Sequence, residues 1–172
     1  MGKGNIILIG MPGAGKSTVG VLLAKSLRMP FIDTDLVIQQ VKGMYLQDII
    51  DKFGIAEFLE IEKKVILSLD IENHVIATGG SAVYSLQAIK HLREPDGLVI
   101  YLKLAFKSIE RRIRNISSRG IAMNTGQTLV DVYKERIPLY KSNADITVNC
   151  YGKHMEQIVT EIRDMVLIKN NF

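Results

Sequence analysis

Apolar and polar residues come in alternating blocks along this 172-residue chain. Ile6-Ile7-Leu8-Ile9, within the run 5–9, is unbroken apolar sequence of the kind found in strands buried on both faces. Residues 18–27 then put Val19, Leu22, Leu23 and Leu27 at helical spacing, which completes a βα unit. Pro30-Phe31-Ile32-Asp33 predicts a second short strand ending in acidic residues. Helical segments are expected at about 46–53 and 56–69, joined at Gly54. His74-Val75-Ile76-Ala77 predicts a third strand closing on Thr78-Gly79-Gly80, followed by a helix near 86–92, a fourth strand at 98–102 and a helix at about 106–114. Over 115–127 the apolar period is lost, and this polar, glycine-containing stretch is expected to be a mobile loop. A helix at 129–140 has Pro138 close to its end. A last strand at 145–149 and an amphipathic helix at 155–168, with Ile158, Ile162 and Val166 inward, finish the chain. The pattern predicts an α/β domain whose parallel sheet is covered by helices on both faces.

Composition narrows the partners. The length suits one domain, 1–172, and 47% hydrophobic residues supply a core. A formal charge of +4 invites a nucleic-acid reading. Aromatic residues are few, however, and basic residues cluster only near Arg111, Arg112, Arg114 and Arg119, which a phosphate-handling pocket explains without nucleic acid. Cys150 is the single cysteine, so an internal disulfide and a multi-cysteine zinc site are both excluded, and a reducing, cytoplasmic setting is the expectation. No stretch is long and apolar enough to predict a signal peptide or a membrane span.

The chemistry starts at Gly10-Met11-Pro12-Gly13-Ala14-Gly15-Lys16-Ser17, which reads G-x-x-x-x-G-K-S between a strand and a helix. In such a loop the glycines turn backbone N–H groups inward around a triphosphate, the lysine reaches the β/γ oxygens, and the serine hydroxyl is placed for Mg²⁺ at a helix N-terminus. Gly13, Ala14, Gly15, Lys16, Ser17 and Thr18 are therefore candidates for ATP binding. In parallel sheets ligands bind beyond the carboxyl ends of the strands, and that rule brings Asp33-Thr34-Asp35 and Thr78-Gly79-Gly80 to the same crevice. Phosphoryl transfer needs a metal, cations and a group that orients or deprotonates the nucleophile. Asp33 is the candidate to hold Mg²⁺ beside Ser17, and Asp35 to face the acceptor hydroxyl. Asp and Thr also favour helix N-caps, and a helix follows, so capping is the competing use of this segment. Gly79 and Gly80 allow close backbone approach to substrate, or form a bare turn. Arg119 is a candidate lid cation or a solvated loop charge. Arg136 can grip a carboxylate bidentately or serve as a surface charge.

Taken together, the chain resembles the shikimate kinases of the nucleoside-monophosphate-kinase-like P-loop group. The resemblance rests on the P-loop, Phe31-Ile32-Asp33-Thr34-Asp35, Phe58 with Glu62, Ala77-Thr78-Gly79-Gly80, Arg119, and Glu135-Arg136-x-Pro138-Leu139-Tyr140 followed by Ala144-Asp145. It implies a three-layer P-loop kinase fold with a five-stranded parallel sheet, substrate-binding helices at about 34–70 and a lid at about 115–127. It implies Mg-ATP as donor, Asp35 on the acceptor hydroxyls, Arg136 on a shikimate carboxylate, a lid closing around Arg119, Arg112 stacked on adenine, and a monomer. Three positions depart from the family pattern. Leu59 stands where a second carboxylate-binding arginine is usual, Ser81 replaces a third glycine, and the lid reads Arg119-Gly120-Ile121-Ala122-Met123 in place of Arg-Pro-Leu-Leu. Losing one partner of a buried charge pair costs about 2–5 kcal/mol, enough to change an acceptor. The sequence therefore leaves open a shikimate kinase, a related kinase acting on another hydroxyl compound such as homoserine or a sugar acid, and an ATP-binding regulatory module without catalysis.

Overall fold

The computed structural model describes residues 4–114 and 120–169, the side chain of Arg114 excepted. Within them lie five strands and seven α-helices: β1 (Ile6–Ile9), α1 (Lys16–Leu27), β2 (Phe31–Asp33), α2 (Thr34–Lys42), α3 (Leu46–Leu67), β3 (Val75–Ala77), α4 (Leu86–Arg93), β4 (Leu98–Lys103), α5 (Phe106–Arg114), α6 (Leu129–Asn143), β5 (Ile146–Asn149) and α7 (Met155–Lys169). The sheet is parallel throughout in the order β2-β3-β1-β4-β5. Its central strand is the apolar run β1, and Ile7, Leu8 and Ile9 are fully buried between β3 and β4. Helices α1 and α7 pack together, as do α3 and α4, giving helix layers around the sheet. From β1 the chain first builds the β2/β3 side and then crosses to β4 and β5, so the switch in strand order falls at the carboxyl end of β1, where a crevice opens.

The apolar residues divide into a main cluster around the sheet and a smaller one made of Ile38, Leu46, Ile49, Ile50, Phe58, Ile61, Val65 and Ala122. The smaller cluster sits under α2 and α3, and it is the platform of the acceptor side described below. The two helical segments expected between 46 and 69 form α3, which breaks at Gly54 with φ 78° and ψ 168°, a conformation that suits a residue without a Cβ. Three features go beyond the periodic reading. Helix α2 is a complete element rather than only the consequence of a cap. A short 3₁₀ turn covers Ala82–Tyr84. Helix α6 continues past Pro138 to Asn143, because buried Tyr140 holds the last turn against the core despite the missing N–H donor. No helix among the described residues is long and apolar enough to cross a membrane.

Candidate active site

The crevice is walled by three strand ends and one helix. After β1 the chain reaches Gly15, which takes φ 99° and forms the N-terminal boundary of α1. A side chain would be strained there, and glycine lets the loop N–H groups turn inward. Lys16 is buried, and its ammonium donates to the carbonyl oxygens of Gly10 at 2.7 Å and Met11 at 3.0 Å, which folds the side chain back over the loop. Arg112 on α5 lies across the outside of the same loop and donates to Gly13 O at 3.1 Å and Ala14 O at 3.4 Å.

Strand β2 delivers Asp33 and, at the start of α2, Thr34 and Asp35. Asp33 Oδ1 accepts the Asp35 N–H at 3.0 Å, so the capping use of this aspartate is realised. Gly79 N–H donates to buried Thr34 Oγ1 at 3.1 Å and ties the end of β3 to the end of β2. A Cβ on Gly79 would overlap Glu62 Oε1 and come within 2.7 Å of Asp35 Oδ1, and one on Gly80 would lie 2.6 Å from Pro12 and 3.2 Å from an Arg136 terminal nitrogen. The glycines are thus positions of close approach, where two carboxylates and a guanidinium converge. Tyr140, fully buried and stacked on Tyr101 at 5.1 Å, donates its hydroxyl to Gly80 O at 2.6 Å and sets the turn. Burial raises the Tyr140 pKa, which keeps the phenol a neutral donor.

Arg136 on α6 is 1% exposed. Its Nε–H donates to Tyr84 Oη at 3.1 Å, the guanidinium lies 5.1 Å from the centroid of the Tyr84 ring, and a terminal nitrogen donates to Ala122 O at 2.7 Å. Glu62 on α3 is equally enclosed. Ser81 Oγ donates to its Oε2 at 2.7 Å, while Oε1 is buried without a hydrogen-bond partner among the described residues. Burial, reinforced by the negative charge of Asp35 and opposed by the Ser81 hydrogen bond, Arg136 and Lys16, pushes the Glu62 carboxyl up to about 7.

These groups surround a cavity of about 50 Å³ lined by Lys16, Ser17, Asp35, Gly79, Gly80 and Arg136, with Gly120, Ile121 and Ala122 as its roof. That is room for little more than water. The roof packs closely on α3, since a Cβ on Gly120 would lie 2.7 Å from Gln47 N. A larger cavity, about 660 Å³, lies at the other end of the sheet around Gly4, Pro95 and Val166, away from the P-loop. Size does not make it the site, because it lies away from the P-loop and the charged residues that line it, Lys90, Arg93, Glu94, Asp96 and Lys169, are of both signs.

Of the residues singled out from sequence, Gly13, Gly15, Lys16, Ser17, Asp35, Gly79, Gly80 and Arg136 meet at the small cavity. Ala14 and Arg112 flank its loop, Thr18 follows on α1, and Asp33 stands behind Asp35 as the cap. Arg119 and residues 115–119 of the expected lid lie outside the described residues. Leu59 does not reach the cavity. It lines a separate space of about 360 Å³ with Glu62, Lys63, Ser81 and Tyr84, and Lys63 there pairs with Glu60 at 2.7 Å. Sequence reasoning gave no role to Tyr84, Tyr140 or Glu62. For Glu62 a signal existed, an acidic residue on the buried face of a helix.

A shikimate kinase family model matches residues 12–167. A shikimate kinase of Thermodesulfovibrio yellowstonii is 34% identical over 92% of this chain and 92% of its own length, and one of Haemophilus influenzae is 37% identical over 95% and 93%. Among solved structures, shikimate kinase from Acinetobacter baumannii in complex with shikimate superposes with a TM-score of 0.86 at 30% identity, covering 97% of this chain and 94% of that one. The Aquifex aeolicus shikimate kinase gives 0.76 at 31% identity over 97% of each chain. This chain belongs to the shikimate kinase family, an ATP-dependent phosphotransferase family acting on a hydroxyl group, and that membership favours the first of the three readings left open above.

Proposed function

We propose, with that membership as premise, that this protein transfers the γ-phosphoryl group of Mg-ATP to a hydroxyl of shikimate. The observation that carries the reading is the convergence of Lys16, Asp35 and Arg136 on one small cavity at the switch point of the sheet. Each faces a different part of the reaction. The P-loop N–H groups and Lys16 bind the β/γ phosphates and absorb charge as it spreads over the equatorial oxygens. Asp35, whose Oδ1 lies beside Gly79, orients or deprotonates the attacking hydroxyl. Arg136, buried and backed by Tyr84, takes the acceptor carboxylate, and Gly79 and Gly80 let the ring approach the backbone. Arg112 lies on the outer face of the loop, consistent with a place beside the adenine.

The donors beside the loop suit Mg²⁺. Ser17 offers a hydroxyl and Asp33 a carboxylate, both hard oxygen ligands. Ser17 and Asp33 would hold the Mg²⁺, which would supply positive charge to offset that of the phosphates. Arg119, outside the described residues, is kept as the lid cation. The small cavity and its Gly120, Ile121, Ala122 roof support a lid role for 115–127, because an acceptor enters only if that roof moves. The enzyme is proposed to act as a cytoplasmic monomer.

Coupled ADP release from Mg-ATP tests the reading, with shikimate, homoserine, sugar acids and nucleoside monophosphates as acceptors. Turnover with shikimate at a kcat/KM well above the other acceptors is expected. Preference for another hydroxyl compound would overturn the acceptor assignment, and ATP binding without turnover of any acceptor would overturn the catalytic one.

A further inference from the structure

The 3₁₀ turn after Gly79 and Gly80 presents two side chains to the acceptor machinery. Ser81 holds Glu62, and Tyr84 holds Arg136. The turn is itself closed by the Tyr84 N–H donating to Ser81 O at 2.9 Å. A guanidinium can take a carboxylate on two kinds of edge, the side edge between Nε and a terminal nitrogen or the end edge between the two terminal nitrogens. Nε carries a single hydrogen, and in Arg136 that hydrogen goes to the Tyr84 hydroxyl. The side edge is thereby withdrawn from any planar anion in the cavity. The terminal nitrogens each carry two hydrogens: Nη1 lies 3.2 Å from where a Cβ on Gly80 would stand, and Nη2 gives one hydrogen to Ala122 O in the cavity roof and has a second, so the end edge can still take an anion. The Tyr84 ring, whose centroid lies 5.1 Å from the guanidinium carbon, also limits how far the guanidinium can swing. With Leu59 contributing no charge, Arg136 is the one guanidinium lining the cavity among the described residues, and the angle at which a carboxylate docks on it depends on how it is held.

We propose that Tyr84 is a positioning residue that sets acceptor specificity: by occupying Nε and packing its ring against Arg136, it makes the guanidinium present its end edge to a planar carboxylate. The inference rests on the functional reading above and adds which residue aims the anchor. Tyr84 itself lines the neighbouring space with Leu59, not the acceptor cavity, so it acts only through Arg136.

The test is steady-state kinetics of the full chain and of Tyr84→Phe, Tyr84→Leu, Arg136→Lys and the Tyr84→Phe/Arg136→Lys double variant, with thermal melts of each. Tyr84→Phe keeps the ring and loses the acceptor oxygen, so the KM for shikimate is expected to rise about fivefold to tenfold, with kcat and the KM for ATP within about twofold. Tyr84→Leu, which loses the ring as well, is expected to raise the shikimate KM roughly another threefold. In the Arg136→Lys background, which has no guanidinium edge to aim, Tyr84→Phe is expected to add no further loss. An unchanged shikimate KM in Tyr84→Phe overturns the proposal. So does an undiminished effect in the Arg136→Lys background, or a parallel loss of ATP affinity and melting temperature, which would mark Tyr84 as merely structural. Failure of the unmodified protein to turn over shikimate would overturn both the functional reading and the Tyr84 role. Normal wild-type turnover with an insensitive Tyr84→Phe would remove the Tyr84 role alone.

Discussion

Around Lys16 the crevice is made of backbone hung on the central strand; around Arg136 it is made of side chains gathered from α2, α3, α6 and the turn after β3. The first end inherits its rigidity from β1, whose residues are buried in the main core. The second stands on the smaller apolar cluster beneath α2 and α3 and is held by side-chain contacts far apart in sequence, such as Ser81 to Glu62 and Arg136 to Tyr84. A backbone-built site tolerates change only as far as its glycines allow. A side-chain-built site can be rewired by exchanging one residue for another, and the family departures at Leu59 and Ser81 both fall there. The two ends should therefore answer separately to mutation, one through ATP and the other through the acceptor.

The largest expected effect is that of Asp35→Asn. The substitution keeps the shape and removes the charge that orients or accepts the proton, so kcat should fall about 10²- to 10⁴-fold. The KM for ATP should stay within about twofold if the ends are independent. A parallel rise in the ATP KM would show that Asp35 also serves the phosphate end and would blur the contrast.

Glu62→Gln sharpens the contrast through pH. The Glu62 carboxyl is raised from 4.5 to about 7, mainly by burial. Below about pH 4.5 it is protonated in folded and unfolded chains alike; between 4.5 and 7 only the folded chain keeps the proton, so stability present at low pH is lost as pH rises through the folded value. The loss should level off above pH 7 at something on the order of 3 kcal/mol. The Glu62→Gln variant keeps an acceptor for Ser81 and has no proton to lose. Its melting temperature, measured from pH 4.5 to 8, should gain on that of the unmodified protein as pH rises, and a constant difference across the range would rule out this titration.

The difference between the two ends also explains what could be read from sequence. The P-loop is contiguous, each of its residues acts through local geometry, and the strand before it and helix after it are set by short-range periodicity, so Lys16 and Ser17 fell where the pattern put them. Asp35, Gly79, Gly80 and Arg136 were reachable because parallel-sheet topology brings strand ends together. Tyr84 and Tyr140 were not, because an aromatic residue in a turn or late in a helix carries no local mark of the partner it will meet across 52 or 60 residues. Glu62 lay between these cases: its helix was legible, but the closure of Gly79 and Ser81 over its carboxyl was not. Asp33 was legible in two ways at once, and its capping bond to Asp35 is the local one of the two.

Paired glycine substitutions should divide along the same line, with smaller effects. Gly79→Ala drives a methyl against Glu62 and Asp35, and acceptor kcat/KM should drop about thirtyfold, roughly 2 kcal/mol, with ATP binding nearly unchanged. Gly15→Ala meets side chains no closer than 3.5 Å but must hold φ 99°, so its cost, about 1–2 kcal/mol of backbone strain, should fall on the ATP KM. Crossed outcomes, with Gly79→Ala weakening ATP or Gly15→Ala weakening the acceptor, would break the division.

The smallest expected effect tests how far the acceptor end has been rewired. Leu59 is half-buried against the smaller apolar cluster and lines the space that also contains Glu62, Ser81 and Tyr84. An arginine introduced there gives up apolar contact and must desolvate its guanidinium, yet it finds the carboxylates of Glu60 and Glu62 on its own helix. Those partners compete with the acceptor for the new charge. The gain should therefore be well below the 2–5 kcal/mol that removal of an established partner costs, closer to about 1 kcal/mol, or a shikimate KM lowered severalfold to about tenfold. The KM for ATP should not move. If Leu59→Arg leaves the shikimate KM unchanged, Arg136 as aimed by Tyr84 already supplies the carboxylate grip and the departure at position 59 is neutral. If it lowers the KM a hundredfold or more, Ser81 and Tyr84 have done little to compensate for the missing arginine, and the acceptor end is an incomplete version of the family site rather than a rewired one.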